Sequence, residues 1–380
     1  MSIHPAPRPS LQQTSRLLAR ALGMSMQELA AGFRPAVWAD LPQMLALRAR
    51  VLGAQTDADD HAYLSWRYRL GRPDQGGGDC WVLTRQGDLL GMVGTQEMVL
   101  RSGGLSCKAL SLMDLLIQPE LEGVGLGVWL NLAIQDQADA VLAIGANPHS
   151  IGLVKRLFDP LPNRRTFVHP LRFGHFLSKR LPLPGLSPVI AHGVEGLLRV
   201  ARMLWLSPWR GTVQVRPLDR LDGSLAALNS KLASDPLVHS DRSPAGLTWR
   251  LQGNHHRRCD LWGAWSNGQL VGYMATRFTP LEDARRALIV VDVLVSLPDG
   301  QSALRALLWH VLEHARREGA DYVAITSYRH DLERELRRAG FRQHGHQFEI
   351  LGWTCKDERF RALAASRPDW TLSEIHTDRI

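Results

Sequence analysis

Apolar positions along this chain alternate between strand-like and helix-like spacing, and the switches mark out its elements. Leu112, Met113, Leu115, Leu116 and Ile117, interrupted only by Asp114, form an apolar run of strand length that breaks at Gln118-Pro119. A loop containing Gly123, Gly125 and Gly127 follows, and Val128–Leu132 opens a helix. Upstream, Leu17, Leu18, Ala21, Leu22 and Met26 lay an apolar stripe along a helix predicted over Leu11–Ala31. Pro35–Trp38 reads as a short strand, Asp40 as the cap of a helix through Arg50, and His61–Leu70 as a second helix. Cys80–Thr84 and Leu89–Leu100 read as a hairpin about Gln86-Gly87-Asp88. Val141–Ile144 is the next predicted strand, Ser150–Phe158 its helix and Thr166–Phe173 the strands that close the unit.

The same pattern then recurs. Leu64-Ser65-Trp66-Arg67 returns as Leu247-Thr248-Trp249-Arg250, and Met113-Asp114-Leu115-Leu116 as Val291-Asp292-Val293-Leu294. Ala140–Ile144 matches Asp321–Ile325, and Gly87-Asp88-Leu89-Leu90-Gly91 matches Gly268-Gln269-Leu270-Val271-Gly272. Two copies of one α/β unit, each an α+β mixed sheet, explain this most economically. The expected division is a helical arm over 1–33, a first unit over 34–180, a linker and connecting helix over 181–212, a second unit over 213–354 and a tail over 355–380. The tail is expected to add a strand or a lid. Opposite Gly123–Gly127 the second copy has Gly300–Leu304, which keeps a helix start but not the glycines, so that copy reads as degenerate.

Glycines between a strand and a helix turn backbone N–H groups inward, and the helix start adds unpaired donors and the positive end of a dipole. The result is a cradle for phosphate or pyrophosphate. A dinucleotide fold needs G-x-G-x-x-G directly after its strand and an acid about 20 residues further on. Here Pro119-Glu120-Leu121 intervenes, and the next strand runs into Gly145-Ala146-Asn147 with no acid. The stretch resembles instead the pyrophosphate loop of the GNAT acetyltransferase superfamily, (Arg/Gln)-x-x-Gly-x-(Gly/Ala), with Glu122 standing at the first position. The resemblance spans Arg34 to Trp353 and includes the Ala339-Gly340-Phe341 ending. It implies an acyl-coenzyme A-dependent N-acyltransferase, with acetyl-CoA as co-substrate. Leu116, Ile117, Gln118, Glu122, Gly123, Val124, Gly125, Leu126, Gly127 and Val128 would hold the cofactor, together with Asn147 and Lys155. Tyr63-x-x-Trp66-Arg67-Tyr68 is also similar to tandem GNAT proteins of bacterial polysaccharide loci, which implies an amino sugar or sugar nucleotide as the amine. Two other readings stay open: a Fem-type transferase using aminoacyl-tRNA, and a non-catalytic binding protein of the same fold.

Composition narrows the classes around this reading. The chain has 380 residues, 45% hydrophobic and 22% charged, enough for two or three domains with cores of their own. A net charge of +8, almost all from arginine since there are five lysines, suits anionic ligands. No basic run is long and aromatic-interleaved enough for a nucleic-acid module, so no DNA partner is expected. Four cysteines without a C-x-x-C pair point to reduced thiols and no zinc. No leader pattern and no membrane-spanning run is found, so the cytoplasm is the expected location. Between the copies, Leu181–Pro188 is a stiff linker into Val189–Leu206. That apolar helix reads as inter-domain packing, with peripheral membrane contact through 189–209 as the alternative because Trp205 and Trp209 lie beside arginines. Over Ala303–Arg316 the core stripe of Leu304, Leu307, Leu308, Val311, Leu312 and Ala315 leaves His310 and His314 of an H-x-x-E-H pattern off it, and no metal is expected.

Acylating an amine requires a base for the ammonium proton, donors for the tetrahedral oxyanion and a proton for the leaving thiolate. Asp114 on the strand, Glu97 on the neighbouring hairpin strand and His149 after the following strand are the candidate bases. Asp114 also has a scaffold reading, since Asp292 repeats it. The tyrosine that serves many GNAT enzymes as acid is replaced by Val154, and by Leu336 in the second copy.

Overall fold

A computed structural model describes residues 8–53, 61–70, 79–144, 150–161, 164–172, 213–232, 237–253, 258–281, 285–295, 300–344 and 352–376, with 193, 195–197 and 200. Its strands are β1 Phe33–Pro35, β2 Cys80–Arg85, β3 Asp88–Ser102, β4 Leu105–Ile117, β5 Ala140–Ala143, β6 Asp159–Pro160, β7 Arg165–Pro170, β8 Gln214–Pro217, β9 His239–Ser240, β10 Asp260–Ser266, β11 Gln269–Pro280, β12 Arg286–Val295, β13 Tyr322–Ser327, β14 Arg342–His344 and β15 Gly352–Cys355. They form two mixed sheets. The first runs β1-β2-β3-β4-β5-β15-β6, with β9 also paired to β3; the second runs β14-β7-β13-β12-β11-β10-β8. In each, a long antiparallel pair leads into one parallel step, β4 to β5 and β12 to β13.

The two sheets exchange strands. Thr166–Phe173, expected to close the first unit, supplies β7 to the second sheet, where it lies between β13 and β14. In return β15, from the end of the predicted second unit, enters the first sheet between β5 and β6. The close fit has a local cause: a Cβ on Gly352 would lie 2.4 Å from Phe158 Cβ and 3.0 Å from Val154. Only glycine lets this strand lie so near the helix beneath it.

The helices are α1 Leu11–Leu22, α2 Met26–Gly32, α3 Leu41–Leu52, α4 His61–Arg67, α5 Leu126–Gln137, α6 Ile151–Leu157, α7 Gly223–Leu232, α8 Pro244–Leu247, α9 Gln301–Arg317, α10 His330–Arg338 and α11 Glu358–Ala365. The single N-terminal helix predicted from the stripe is broken in two. Gly23, at φ 60°, ends α1 with its N–H on Arg20, Met24 bonds back to Ala19, and Ser25 and Glu28 restart the chain as a capping box. α1 then packs on α5, where the Trp129 indole N–H donates to Ser15 Oγ at 2.8 Å. Asp40 caps a short 3-10 turn instead of the helix after it, accepting from Val37 N at 2.8 Å and pairing with Arg34. The strand expected at Pro35–Trp38 lies earlier, at β1, and the helix expected to reach Leu70 stops at Arg67, two residues before Arg69 with φ 48°.

The predicted stripe on α9 is buried at every position, against Met274, Val290, Val323 and Phe341 in the second core. The His310 ring lies 4.4 Å from the Trp262 ring and His314 5.1 Å from it. Among the described residues no group of His, Cys, Asp or Glu could hold a metal ion, and no helix is long and apolar enough to cross a membrane. The tail supplies a strand residue, Cys355, and then folds back: Trp370 is 1% exposed and meets Trp353 edge-on at 5.2 Å. The proline linker and almost all of 189–209 lie outside the described residues.

Candidate functional site

The site is built where β4 parts from β5. Their parallel pairing ends at Leu112 and Ala143, and two residues later β4 bulges: Val93 on β3 faces both Asp114 and Leu115. Asp114 takes φ 42°, a left-handed conformation that aspartate tolerates better than most residues. Its carboxylate is held from three sides, by Arg67 Nε at 2.7 Å, Tyr68 Oη at 2.6 Å and Arg48 at 3.2 Å. Burial pushes its pKa up, but Arg67, Arg48 and the Tyr68 hydroxyl outweigh that and hold it at about 2.

Beyond the bulge, Gln118 is fixed at three points. Its N–H donates to Leu90 O at 2.9 Å, its side-chain amide to Leu89 O at 2.8 Å, and Arg50 donates to its Oε1 at 2.6 Å. The main-chain N–H of Gln118 is therefore spent on β3. Ladder alternation turns Leu116 the same way and leaves Ile117 directed into the gap vacated by β5.

The chain next makes a 3-10 turn at Pro119–Leu121 and reaches Gly123 at φ 82° and Gly125 at φ 89°. Gly125 is the N-cap of the twelve-residue α5. The first bond of α5 runs from Trp129 N to Gly125 O at 3.0 Å, so the N–H groups of Leu126, Gly127 and Val128 precede any intrahelical acceptor. A Cβ built on Gly123 or Gly125 meets nothing within 4 Å, so open space lies over the loop. These are the features an anion cradle needs, and a pyrophosphate fits them. The second sheet lacks them: Gly300, the N-cap of α9, has φ −81°.

The remaining sequence candidates are placed as follows. Glu122 is exposed at the loop's edge, and Val124 packs partly against the first core. Glu97 sits opposite Leu110, its exposed carboxylate 3.1 Å from Arg69, and nothing joins it to Asp114. Lys155 is exposed on α6. Asn147 and His149 lie outside the described residues. Val154, where the resemblance implies a catalytic tyrosine, is buried under Gly352 of the exchanged strand.

Sequence reasoning missed a cavity of about 580 Å³ where the two halves meet, lined by Gln96 and Lys108 from the first sheet, Trp249 and Arg250 from the repeated motif, and His376 from the tail. The recurrence of Leu64-Ser65-Trp66-Arg67 as Leu247-Thr248-Trp249-Arg250 was the available signal, since it marks the segment that carries Arg250 there.

No protein-family model matches the chain, and no curated protein matches it in sequence. Solved structures do match. A GCN5-related N-acetyltransferase from Anabaena variabilis aligns at TM-score 0.53 and 12% identity over 84% of this chain and 71% of its own. One from Kribbella flavida aligns at 0.51 and 12% over 85% and 69%. N-myristoyltransferase of Saccharomyces cerevisiae, solved with myristoyl-CoA, aligns at 0.54 and 11% over 84% and 79%. The chain has the GNAT fold, and at such identities the likeness is one of fold.

Proposed function

We propose that this chain is an acyl-coenzyme A-dependent N-acyltransferase whose first half holds the cofactor. The observation that carries the reading is the pair of left-handed glycines, Gly123 and Gly125, which open the N-terminus of α5 beside the splayed end of β4 and have no counterpart at Gly300. The pyrophosphate would lie on the N–H groups of Leu126, Gly127 and Val128, and the thioester would run into the gap toward Ile117. The yeast neighbour, solved with myristoyl-CoA, supports a cofactor of this kind.

In this reading the ammonium loses a proton to water, the amine nitrogen attacks the thioester carbonyl carbon, the Ile117 N–H would stabilise the oxyanion, the C–S bond breaks, and the coenzyme leaves as a thiolate that water reprotonates. Asp114, held ionised at about 2 by two arginines, is too weak a base to take the ammonium proton and instead fixes the bulge. Glu97, opposite Leu110, stands about 20 Å along the ladder from the Gly91–Ile117 pair, too far to take the proton of an amine attacking there, so that proton passes to water. The acyl group is acetyl and the acceptor an amino sugar or sugar nucleotide, as the sequence suggested.

Calorimetry with acetyl-CoA on the intact protein and on Gly125→Trp tests the cofactor half. Micromolar binding that the substitution abolishes supports the reading. No binding by the intact protein overturns it, and tight, salt-sensitive tRNA binding in its place would favour the Fem-type alternative.

A further inference from the structure

Arg67 and Arg250 occupy matching places in the repeated motif but have different fates. Arg67 binds the carboxylate of its own sheet, Asp114. The corresponding carboxylate of the second sheet, Asp292, is bound by Arg242, with Tyr273 and Ser373 completing its shell. Arg250 therefore does not bind the carboxylate of its own sheet and reaches across into the first half, where Nη2 meets Gln96 Oε1 and lies 3.7 Å from Met113 Sδ.

Arg250 is 2% exposed, and neither its Nε nor its Nη1 has a hydrogen-bond partner. Three carboxylates that line the same part of the fold are engaged elsewhere. Asp79 binds Arg69 through both oxygens, Glu97 also binds Arg69, and Asp241 binds Asn229 and Arg101. The other ring near it, His376, is neutral: burial and then Arg242 lower its pKa to about 3. What Arg250 does touch is the face of Trp249, 4.8 Å away, with Arg69 5.2 Å from the same ring. A buried cation whose protein partners are one amide oxygen, a thioether sulfur and an aromatic face is costly to keep unless an anion arrives to complete it. Like charge from Arg67 adds to that cost, and burial, the larger effect, works in the same direction, taking the pKa to about 9.

We infer that the cavity between the two halves is an oxyanion-binding subsite anchored by Arg250, and that the acceptor amine carries a carboxylate or phosphate which this arginine receives. On the cavity wall Lys108 and Asp139 carry opposite charges, so the attraction for an anion comes from Arg250 itself, and a volume of about 580 Å³ accommodates a small molecule. The site lies beside Met113, next to the bulge residue, so an anchored acceptor is held on the strand that leads to the thioester gap. Naming the anion's bearer as the acceptor rests on the acyltransferase reading; the anion site itself does not.

The test is binding without coenzyme A. Succinate and inorganic phosphate are titrated into the full chain by calorimetry, with uncharged succinamide as control, and repeated on Arg250→Gln and Arg250→Lys. The same variants are titrated with acetyl-CoA. The expected result is millimolar or tighter binding of at least one anion, none of succinamide, at least tenfold weakening in Arg250→Gln and severalfold in Arg250→Lys. Tighter succinate than phosphate would assign a carboxylate, and the reverse a phosphate. Should Arg250→Gln unfold, the Lys variant and the Arg250 Nε–H resonance, which should move on adding anion, carry the test. No binding of either anion at 10 mM, or binding that ignores both substitutions, overturns the subsite. Loss of acetyl-CoA binding by the intact protein with anion binding preserved would fail the acyltransferase reading alone.

Discussion

Trp66 and Trp249 each donate their indole N–H to the other's main-chain carbonyl, both at 2.9 Å, with ring centroids 5.9 Å apart. The two residues stand at the same place in the repeated motif, so the contact is reciprocal in the way a two-fold dimer contact is. Gly253 permits it, since a Cβ there would lie 2.9 Å from the Trp66 indole nitrogen. Replacing either tryptophan by Phe removes one of the paired bonds and should cost about 1 kcal/mol. The double variant should cost less than the sum, with a coupling on the order of 1 kcal/mol in urea melts. Strict additivity would mean that the two bonds do not act as a unit.

Asp114→Asn separates a scaffold role from a chemical one. Between Arg67 and Arg48 the carboxylate neutralises two buried cations, and its loss should destabilise the protein by about 3–5 kcal/mol. A variant that melts like the parent and loses only turnover would return Asp114 to the role of base.

Acid should weaken the fold well before Asp114 protonates. Burial, and next the charge of Arg242, lower both His239 and His376 to about 3, whereas an unfolded histidine titrates near 6.5. Between those values the unfolded chain binds more protons, so stability is complete above about pH 6.5 and falls as pH drops toward 3. Each histidine contributes a slope of about 1.4 kcal/mol per pH unit within that window. Urea midpoints at pH 7.5, 6 and 5 read it. A flat profile would show that neither ring is held neutral. Asp114, held down to about 2, should add its own loss only below about pH 4.

Cys107 on β4 and Cys355 on β15 have sulfurs 3.8 Å apart, and burial pushes both thiols' pKa upward. At neutral pH the folded protein should react slowly with iodoacetamide. Copper-phenanthroline should join the two, giving a Cys107–Cys355 cross-linked peptide by mass spectrometry and a higher Tm. A Cys355→Ser protein should give neither, and if the parent stays reduced under the same oxidant, the two sulfurs do not meet in solution.

The sequence was most readable where a local rule acts alone. Gln86 and Gly87, both at positive φ, turn the hairpin as expected, and the α9 stripe is buried residue by residue. The loop after β4 could be located because left-handed turns demand glycine. The exchange of β7 and β15 left no such trace. Phe167 and His169 face a core in either sheet, and alternation specifies a buried face without saying which sheet provides it. Arg250 was hidden for a different reason. Its motif copy, Arg67, is satisfied, and only the placement of Arg242 shows that one of the two was set free.

The strand exchange also sets an order on the making of this protein. β5 leaves the ribosome roughly two hundred residues before Gly352–Cys355 can pair with it. At translation rates of 5–20 residues per second, its edge therefore stays open for about 10–40 s. During that time the first half is a nascent chain with an unpaired strand, a candidate for chaperone capture and for mispairing with a neighbour on the same polysome. Gly352–Cys355 thus act as a completion signal, and a message truncated before them yields a first half that never closes.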